Sequence, residues 1–128
     1  MDKLHLAAMK KNSEAEIIAM HATGQNLNVK DYHGTTALHI ATEFNYLNNV
    51  KVLLRCGANV RSRDCTGFEP VHTAARKGYE GILIELISFC PGIINATTDY
   101  GATPLHLACE RQHSSLVSFL ISRGAQVP

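Results

Sequence analysis

The stretch GATPLHLACERQ, residues 101–112, places His106 between two leucines, directly after a Thr-Pro pair. Similar stretches occur three more times, as DKLHLAA at 2–8, TTALHIA at 35–41 and EPVHTAA at 69–75. Their histidines, at positions 5, 39, 72 and 106, follow one another at intervals of 34, 33 and 34 residues. A fixed period in this range is typical of repeat proteins, in which each unit is one supersecondary structure.

Other residue types recur with the same phase. A glycine precedes three of the histidines, an aspartate lies three residues before two of these glycines, and an alanine follows every histidine by two positions. These residues are Gly34, Gly67 and Gly101, then Asp31 and Asp64, then Ala7, Ala41, Ala74 and Ala108. The sequence therefore predicts a single domain of four repeats, at 1–30, 31–63, 64–97 and 98–128.

Each repeat carries the signals of two short helices. Thr36 and Thr103 stand where a hydroxyl caps the first helix, and Pro70 and Pro104 occupy its first turn, where a missing N–H costs nothing. Apolar residues recur at helical spacing in the second helix. They are Val50, Leu53 and Leu54, then Leu83, Leu86 and Ile87, then Val117, Leu120 and Ile121. Gly57 and Gly124 follow, where they end a helix in a left-handed turn. One such helix pair cannot bury its apolar stripe, so neighbouring repeats must stack into one core.

This pattern resembles the ankyrin repeat, whose commonest form reads DxxGxTPLHLAAxxGxxxxVxxLLxxGAxxN. It is matched by DYHGTTALHIATEFNYLNNVKVLLRCGANV, by DCTGFEPVHTAARKGYEGILIELISFCPGIIN and by TDYGATPLHLACERQHSSLVSFLISRGAQV. With a degenerate first unit, the resemblance covers essentially the whole chain. It implies an all-α solenoid of stacked helix-turn-helix units joined by short β-turn or hairpin loops.

Several positions depart from the pattern, and we expect them to weaken individual loops. One residue is inserted near Cys90 and Pro91. The substituted positions are Ala37 for proline, Glu69 for the capping threonine, Thr98 for aspartate, and Asn45 and Gln112 for the glycine between the helices.

Composition excludes several classes of function. The 128 residues are 45% hydrophobic, enough for one folded domain, and their net charge of +1 provides no long-range field for nucleic acid or an anionic membrane. The most apolar run, 81–89, is far shorter than the roughly 20 residues of a membrane span. The four cysteines form no CxxC pair, and without a secretory signal we expect reduced thiols in an intracellular protein, cytoplasmic or nuclear.

The recurring histidines have three interpretations. As metal ligands they would have to converge on one ion, whereas stacked helices lie about 8 to 10 Å apart. As catalytic bases they would need a nucleophile, and none recurs beside them. The third interpretation, suggested by the resemblance, is a neutral imidazole that hydrogen-bonds its own turn and the neighbouring repeat. We therefore predict no catalytic residue, no metal site and no cofactor.

The resemblance places a binding surface on the turn tips and the first helices, on the concave side of the solenoid. We call it the tip-and-helix surface. Its predicted residues are Tyr32, His33, Glu43, Phe44, Phe68, Arg76, Lys77, Tyr100, Glu110 and Arg111. Four are aromatic, and several central residues are basic, so we expect a protein partner with an acidic or mixed-charge segment. Ordinary solvated residues, or aromatics folded back onto their own loops, are the alternative.

The last repeat keeps Leu116, Phe119 and Leu120, which we expect to face a following repeat. This predicts either further repeats or self-association at that end. Two classes of function follow. One is a scaffold that binds a partner protein, and the other is a regulatory or targeting segment of a larger enzyme or channel.

Overall fold

The computed structural model describes residues 3–126, and within that range it contains eight α-helices and no β-strand. The helices are α1 (Lys3–Ala8), α2 (Glu14–Ala22), α3 (Ala37–Glu43), α4 (Leu47–Arg55), α5 (Pro70–Lys77), α6 (Glu80–Phe89), α7 (Pro104–Glu110) and α8 (Ser114–Ser122). A 3-10 helix, Pro91–Asn95, lies between α6 and α7, where the sequence predicted an inserted residue. The all-α prediction is confirmed.

The helices form two rows. In the first row α1 packs on α3, α3 on α5 and α5 on α7, and in the second row α2 packs on α4 and α4 on α6. The core lies between the rows, where Leu38, Leu53, Leu83 and Leu105 are almost completely buried. Because each helix pair contacts mainly its neighbours in sequence, the architecture is a solenoid.

The first helices begin at the predicted residues. The Thr103 hydroxyl accepts a hydrogen bond from the His106 N–H at 3.2 Å, and Thr36 caps α3 in the same way. Pro70 and Pro104 are the first residues of α5 and α7. The caps satisfy backbone N–H groups that have no partner inside the helix.

The turn after each first helix contains one residue in the left-handed backbone region. Gly78 has φ 75°, whereas Asn12, Asn45 and Gln112 reach φ values of about 60° at the equivalent positions. Non-glycine residues adopt this conformation uncommonly, asparagine more readily than most. The departures from glycine thus keep the same turn geometry.

The apolar surface predicted at the C-terminal end is mostly absent. Leu116 and Leu120 were expected to face a following repeat, but they are 1% and 0% exposed. That expectation is wrong for both leucines, because their side chains are part of the hydrophobic core. Phe119 is half-buried, and Ile121 is the large apolar residue of α8 that is exposed.

Candidate functional site

The turn tips are held by a side-chain oxygen at the first position of each turn. Asp31 Oδ1 accepts hydrogen bonds from the N–H groups of His33 and Thr35, at 2.9 and 3.0 Å. Asp64 Oδ1 accepts from the backbone and the hydroxyl of Thr66 and from the N–H of Phe68, at 2.6 to 3.0 Å. Such Asx-type bonds fix the conformation of a turn.

The departure at Thr98 preserves this arrangement. Its hydroxyl oxygen accepts hydrogen bonds from the N–H groups of Tyr100 and Ala102, at 3.3 and 3.2 Å. These bonds are longer than those made by the Asp64 carboxylate, as expected for a neutral acceptor. The last tip is therefore built like the others but with weaker bonds.

Neighbouring tips are also tied to each other. The Cys65 N–H donates to the His33 carbonyl at 2.9 Å, and Lys30 Nζ donates to the Arg63 carbonyl at 3.0 Å. These bonds connect the tips of the second and third repeats directly.

The recurring histidines connect neighbouring repeats. In His72, Nδ1 accepts a hydrogen bond from the Glu69 N–H at 3.0 Å, so the ring proton lies on Nε2, which donates to the Ala96 carbonyl at 2.8 Å. His39 makes the same pair of bonds, within its own cap and to the Phe68 carbonyl at 3.0 Å. This is the structural role that the resemblance implied.

The first and last histidines make only part of this arrangement. His5 Nε2 donates to the Thr35 carbonyl at 2.8 Å, and within residues 3–126 its Nδ1 has no partner. His106 Nδ1 accepts from the Thr103 N–H at 3.0 Å. His106 lacks a connection to a later repeat within the described part of the chain, and it is half-buried.

Burial lowers the pKa of both His39 and His72, although their hydrogen bonds to backbone carbonyls act in the opposite direction. Both imidazoles are therefore neutral at neutral pH. Over residues 3–126, no group of three or more His, Cys, Asp or Glu side chains is placed to hold a metal ion.

The departure at Glu69 produces a buried ion-pair network. The Glu69 side chain is 1% exposed, and its carboxylate contacts Arg61 Nε at 3.2 Å and Arg63 Nη1 at 3.5 Å. Arg63 also contacts Asp99 Oδ1 at 3.2 Å and donates to the Thr97 carbonyl at 2.9 Å. A buried carboxylate requires such partners, so Glu69 joins the second and third repeats instead of weakening the loop, and Arg63 extends the network to Asp99 of the fourth.

Three predicted aromatic residues of the tip-and-helix surface are exposed. Tyr32 and Tyr100 project from the tips with 93% and 90% of their surface exposed. Phe44, at the end of α3, is 44% exposed and stacks on Tyr46 with ring centroids 5.8 Å apart. Their accessible rings are the kind of group that anchors protein interfaces.

Phe68 differs from these three. It is half-buried against the core, and its ring meets the edge of His72 with centroids 5.7 Å apart. The guanidinium of Arg76 lies over the same ring, 5.2 Å from its centroid. Phe68 thus matches the alternative interpretation, in which an aromatic side chain packs back onto its own repeat. Its ring lies against the guanidinium of Arg76.

Four of the remaining predicted residues line two clefts along the first helices, whereas the exposed His33 and Glu110 line neither. The first cleft, of about 310 Å³, is lined by the apolar side chains of Met9, Ile40 and Phe44 and by the acidic side chains of Asp31, Glu43 and Asp64. We call it the apolar cleft. Among the predicted residues only Glu43 and Phe44 line it.

The second cleft, of about 530 Å³, is lined by Arg76, Lys77, Tyr79, Arg111 and His113, and we call it the basic cleft. Sequence reasoning missed Tyr79 and His113. A signal was available, since both directly precede a second helix at equivalent positions of successive repeats. Each reaches back to a carbonyl of the preceding repeat, Tyr79 Oη to Glu43 at 3.4 Å and His113 Nε2 to Arg76 at 2.9 Å.

Acidic and basic side chains lie in different parts of the tip-and-helix surface. Lys77 Nζ lies 3.0 Å from Glu43 Oε1, so the ion pair joins the rims of the two clefts. Glu110, by contrast, is exposed and lines neither cleft. The tip-and-helix surface therefore has an apolar and acidic part at its start and a basic part at its end.

The family model described as ankyrin repeats (3 copies) matches residues 2–64 and again 50–128. The chain belongs to the ankyrin-repeat family. It is 30% identical over 92% of its length to the tyrosine-protein kinase Shark of Drosophila melanogaster, and 27% identical over 99% to the transient receptor potential cation channel subfamily A member 1 of Homo sapiens. It is also 33% identical over 64% of its length to NF-kappa-B inhibitor zeta of Homo sapiens.

The matches cover 13%, 12% and 12% of these three relatives. The chain thus spans about an eighth of the length of the curated relatives it matches, and the similarity is to a repeat segment of each. Within residues 3–126 no helix has the length and apolar character needed to cross a bilayer.

Proposed function

We propose that this chain is a non-catalytic module that binds a partner protein on its tip-and-helix surface. Ankyrin repeats are generally protein-interaction modules, and solenoids of short repeats present an extended surface suited to that task. The observation that carries the proposal is the exposure of Tyr32 and Tyr100, at 93% and 90%, on rigid tips that need no aromatic residue for their fold.

The charge of the surface supports a partner segment of mixed charge. The apolar cleft, which three carboxylates also line, suits an apolar or cationic side chain, whereas the basic cleft suits carboxylates. A uniformly acidic partner fits less well, because Asp31, Glu43 and Asp64 would repel it at one end.

A second function is favoured by the relatives, which include a kinase and a channel that the chain matches over a small part of their length. In this alternative the repeats are a regulatory or targeting segment of a larger protein, and any catalysis or transport belongs to other parts of it. The binding surface would be the same, with the partner in cis. We place the module in the cytoplasm or the nucleus.

Affinity capture with a surface variant tests the proposal. Replacing Tyr32, Phe44 and Tyr100 by alanine removes exposed rings, whereas replacing the half-buried Phe68 would also disturb the core. Phe89→Ala is the matched control, since it removes a ring that is 50% exposed on a second helix. We expect the triple variant to lose proteins that the control retains, at unchanged melting temperature. Identical capture by both variants would refute the proposed surface.

A further inference from the structure

The basic cleft contains two guanidinium groups that the chain itself does not neutralise. Arg76 and Arg111, which come from neighbouring repeats, contact no carboxylate within residues 3–126. Arg61 and Arg63, in contrast, both pair with Glu69. Two unpaired guanidiniums beside one cleft leave its positive charge available to a ligand.

Arg76 is held in position before any ligand binds. Its guanidinium rests on the Phe68 ring at 5.2 Å from the centroid, and Phe68 is fixed by the core and by the edge of His72. A side chain that is already ordered loses less conformational entropy on binding. Arg76 therefore binds an anion more favourably than an arginine whose side chain is mobile in solvent.

The wall of the cleft is also fixed. His113 donates from Nε2 to the Arg76 carbonyl at 2.9 Å, which places its ring against the backbone of Gly78. A Cβ atom at position 78 would lie only 2.7 to 3.0 Å from atoms of that ring. The third repeat thus needs glycine here, where the second and fourth have Asn45 and Gln112, to allow this close approach.

Lys77, the third cation of the cleft, already forms an ion pair with Glu43 of the same chain. Lys77 Nζ pairs with Glu43 Oε1 at 3.0 Å, and both side chains are partly exposed. Exposed ion pairs are weak, so a ligand carboxylate can displace Glu43 at small cost. Glu43 would then reduce the affinity of the cleft for anions in general.

We propose that the basic cleft binds an acidic peptide segment of the partner protein, with Arg76 and Arg111 as anchors and Glu43 as a competitor for Lys77. Planar guanidinium groups match carboxylates in a bidentate geometry. The two unpaired guanidiniums lie on neighbouring repeats and match a segment that carries two acidic residues. This inference rests on the proposed function and names the chemistry of the partner at one end of the surface.

A labelled hexaglutamate peptide, with hexaglutamine as the neutral control, tests the assignment by fluorescence anisotropy at low salt. We expect Arg111→Gln to weaken hexaglutamate binding about tenfold, because a charge-assisted hydrogen bond is lost. Glu43→Gln should strengthen binding about two- to threefold, because it frees Lys77. Glu16→Gln is the matched control, since it removes the same charge from another exposed pair, 3.8 Å from Lys10, and should have no effect.

The site itself is mapped by NMR on the ¹⁵N-labelled chain. We expect saturable shifts of the Nε–Hε signals of Arg76 and Arg111, while that of the exposed Arg55 stays unchanged. The proposal is overturned by shifts spread over all basic residues, by equal effects of Glu43→Gln and Glu16→Gln, or by the absence of hexaglutamate binding. It is also overturned if a single-stranded DNA oligonucleotide of equal charge binds the same residues more tightly.

These outcomes are independent of the aromatic variant. If hexaglutamate fails but the Tyr32, Phe44 and Tyr100 variant loses its partners, the tip-and-helix surface stands and the acidic anchor is wrong. If hexaglutamate binds as expected but capture is unaffected by the aromatic variant, the proposed surface is wrong and the basic cleft stands alone.

Discussion

The connection between repeats through His72 has a measurable energetic consequence. The imidazole is 0% exposed, and its truncation in His72→Ala leaves the Glu69 N–H and the Ala96 carbonyl buried without a partner. An unpaired buried group costs about 1 to 3 kcal/mol, and the cavity adds to this, so we expect a loss of about 3 to 5 kcal/mol in the free energy of unfolding. With an unfolding entropy of about 2.1 cal/mol/K per residue, the melting temperature should fall by about 10 to 20 °C.

Two variants separate the components of this loss. His72→Asn keeps an acceptor near the position of Nδ1 and removes only the bond to the Ala96 carbonyl, so we expect an intermediate loss. His106→Ala is the matched control, because His106 accepts the same kind of cap bond from Thr103 but is half-buried and has no connection to a later repeat within residues 3–126. We expect His106→Ala to lower the free energy of unfolding by about 1 kcal/mol.

Urea-induced unfolding followed by far-UV circular dichroism, at a pH of about 7.5, measures all three variants. The expected order of stability is wild type, His106→Ala, His72→Asn and then His72→Ala. Equal losses for His72→Ala and His106→Ala would refute the reasoning, because the bond between repeats would then contribute nothing. An unchanged stability of His72→Ala would refute the structural role altogether.

Three further predictions concern pH and the turns. Burial lowers the folded-state pKa of His39 and His72, so below the unfolded value of about 6.5 the unfolded chain binds more of these protons than the folded chain does. On acidification through this range the free energy of unfolding should fall by up to about 1.4 kcal/mol per pH unit for each histidine, and their contribution should stay constant above a pH of about 7.5. Urea titrations across this range check the sign, and a stability that rises on acidification would contradict it. Gly67→Ala should lower the free energy of unfolding by about 2 kcal/mol more than Gly101→Ala. Both glycines have a positive φ, but of the two added Cβ atoms only the one at position 67 would approach the backbone of the next turn, at 2.8 Å. Equal melting temperatures of the two variants would contradict this. Asp64→Ala, which removes an acceptor of three hydrogen bonds, should cost about 2 to 3 kcal/mol in thermal unfolding, and the expectation fails if the loss is below about 0.5 kcal/mol.

The local structure follows closely from the sequence. The caps at Thr36 and Thr103, the prolines that begin α5 and α7, and the glycine that ends α4 act within a few residues of themselves. Their conformational preferences are therefore readable without knowledge of any distant contact. The period of 33 or 34 residues adds the order in which the helix pairs stack.

The candidate site depended more on tertiary structure. Tyr32 and Tyr100 were predictable as exposed, because a turn tip has few neighbours. Phe68 directly follows the turn glycine, whereas Tyr32 and Tyr100 precede theirs, and it is half-buried because His72 and Arg76 of the following helix contact its ring. The repeat boundaries at 1–30, 31–63, 64–97 and 98–128 remain a prediction.

Contacts between residues about 34 positions apart were decided only by the stacked structure. The sequence does not show that Arg63 reaches Asp99, 36 positions away, nor that Lys77 reaches Glu43. Each such contact depends on the rotation and spacing of one helix pair relative to the next, which is set by packing of the whole core. Spacing along the chain therefore determined the helices and their order, and packing between repeats determined which charges are neutralised and which remain free to bind.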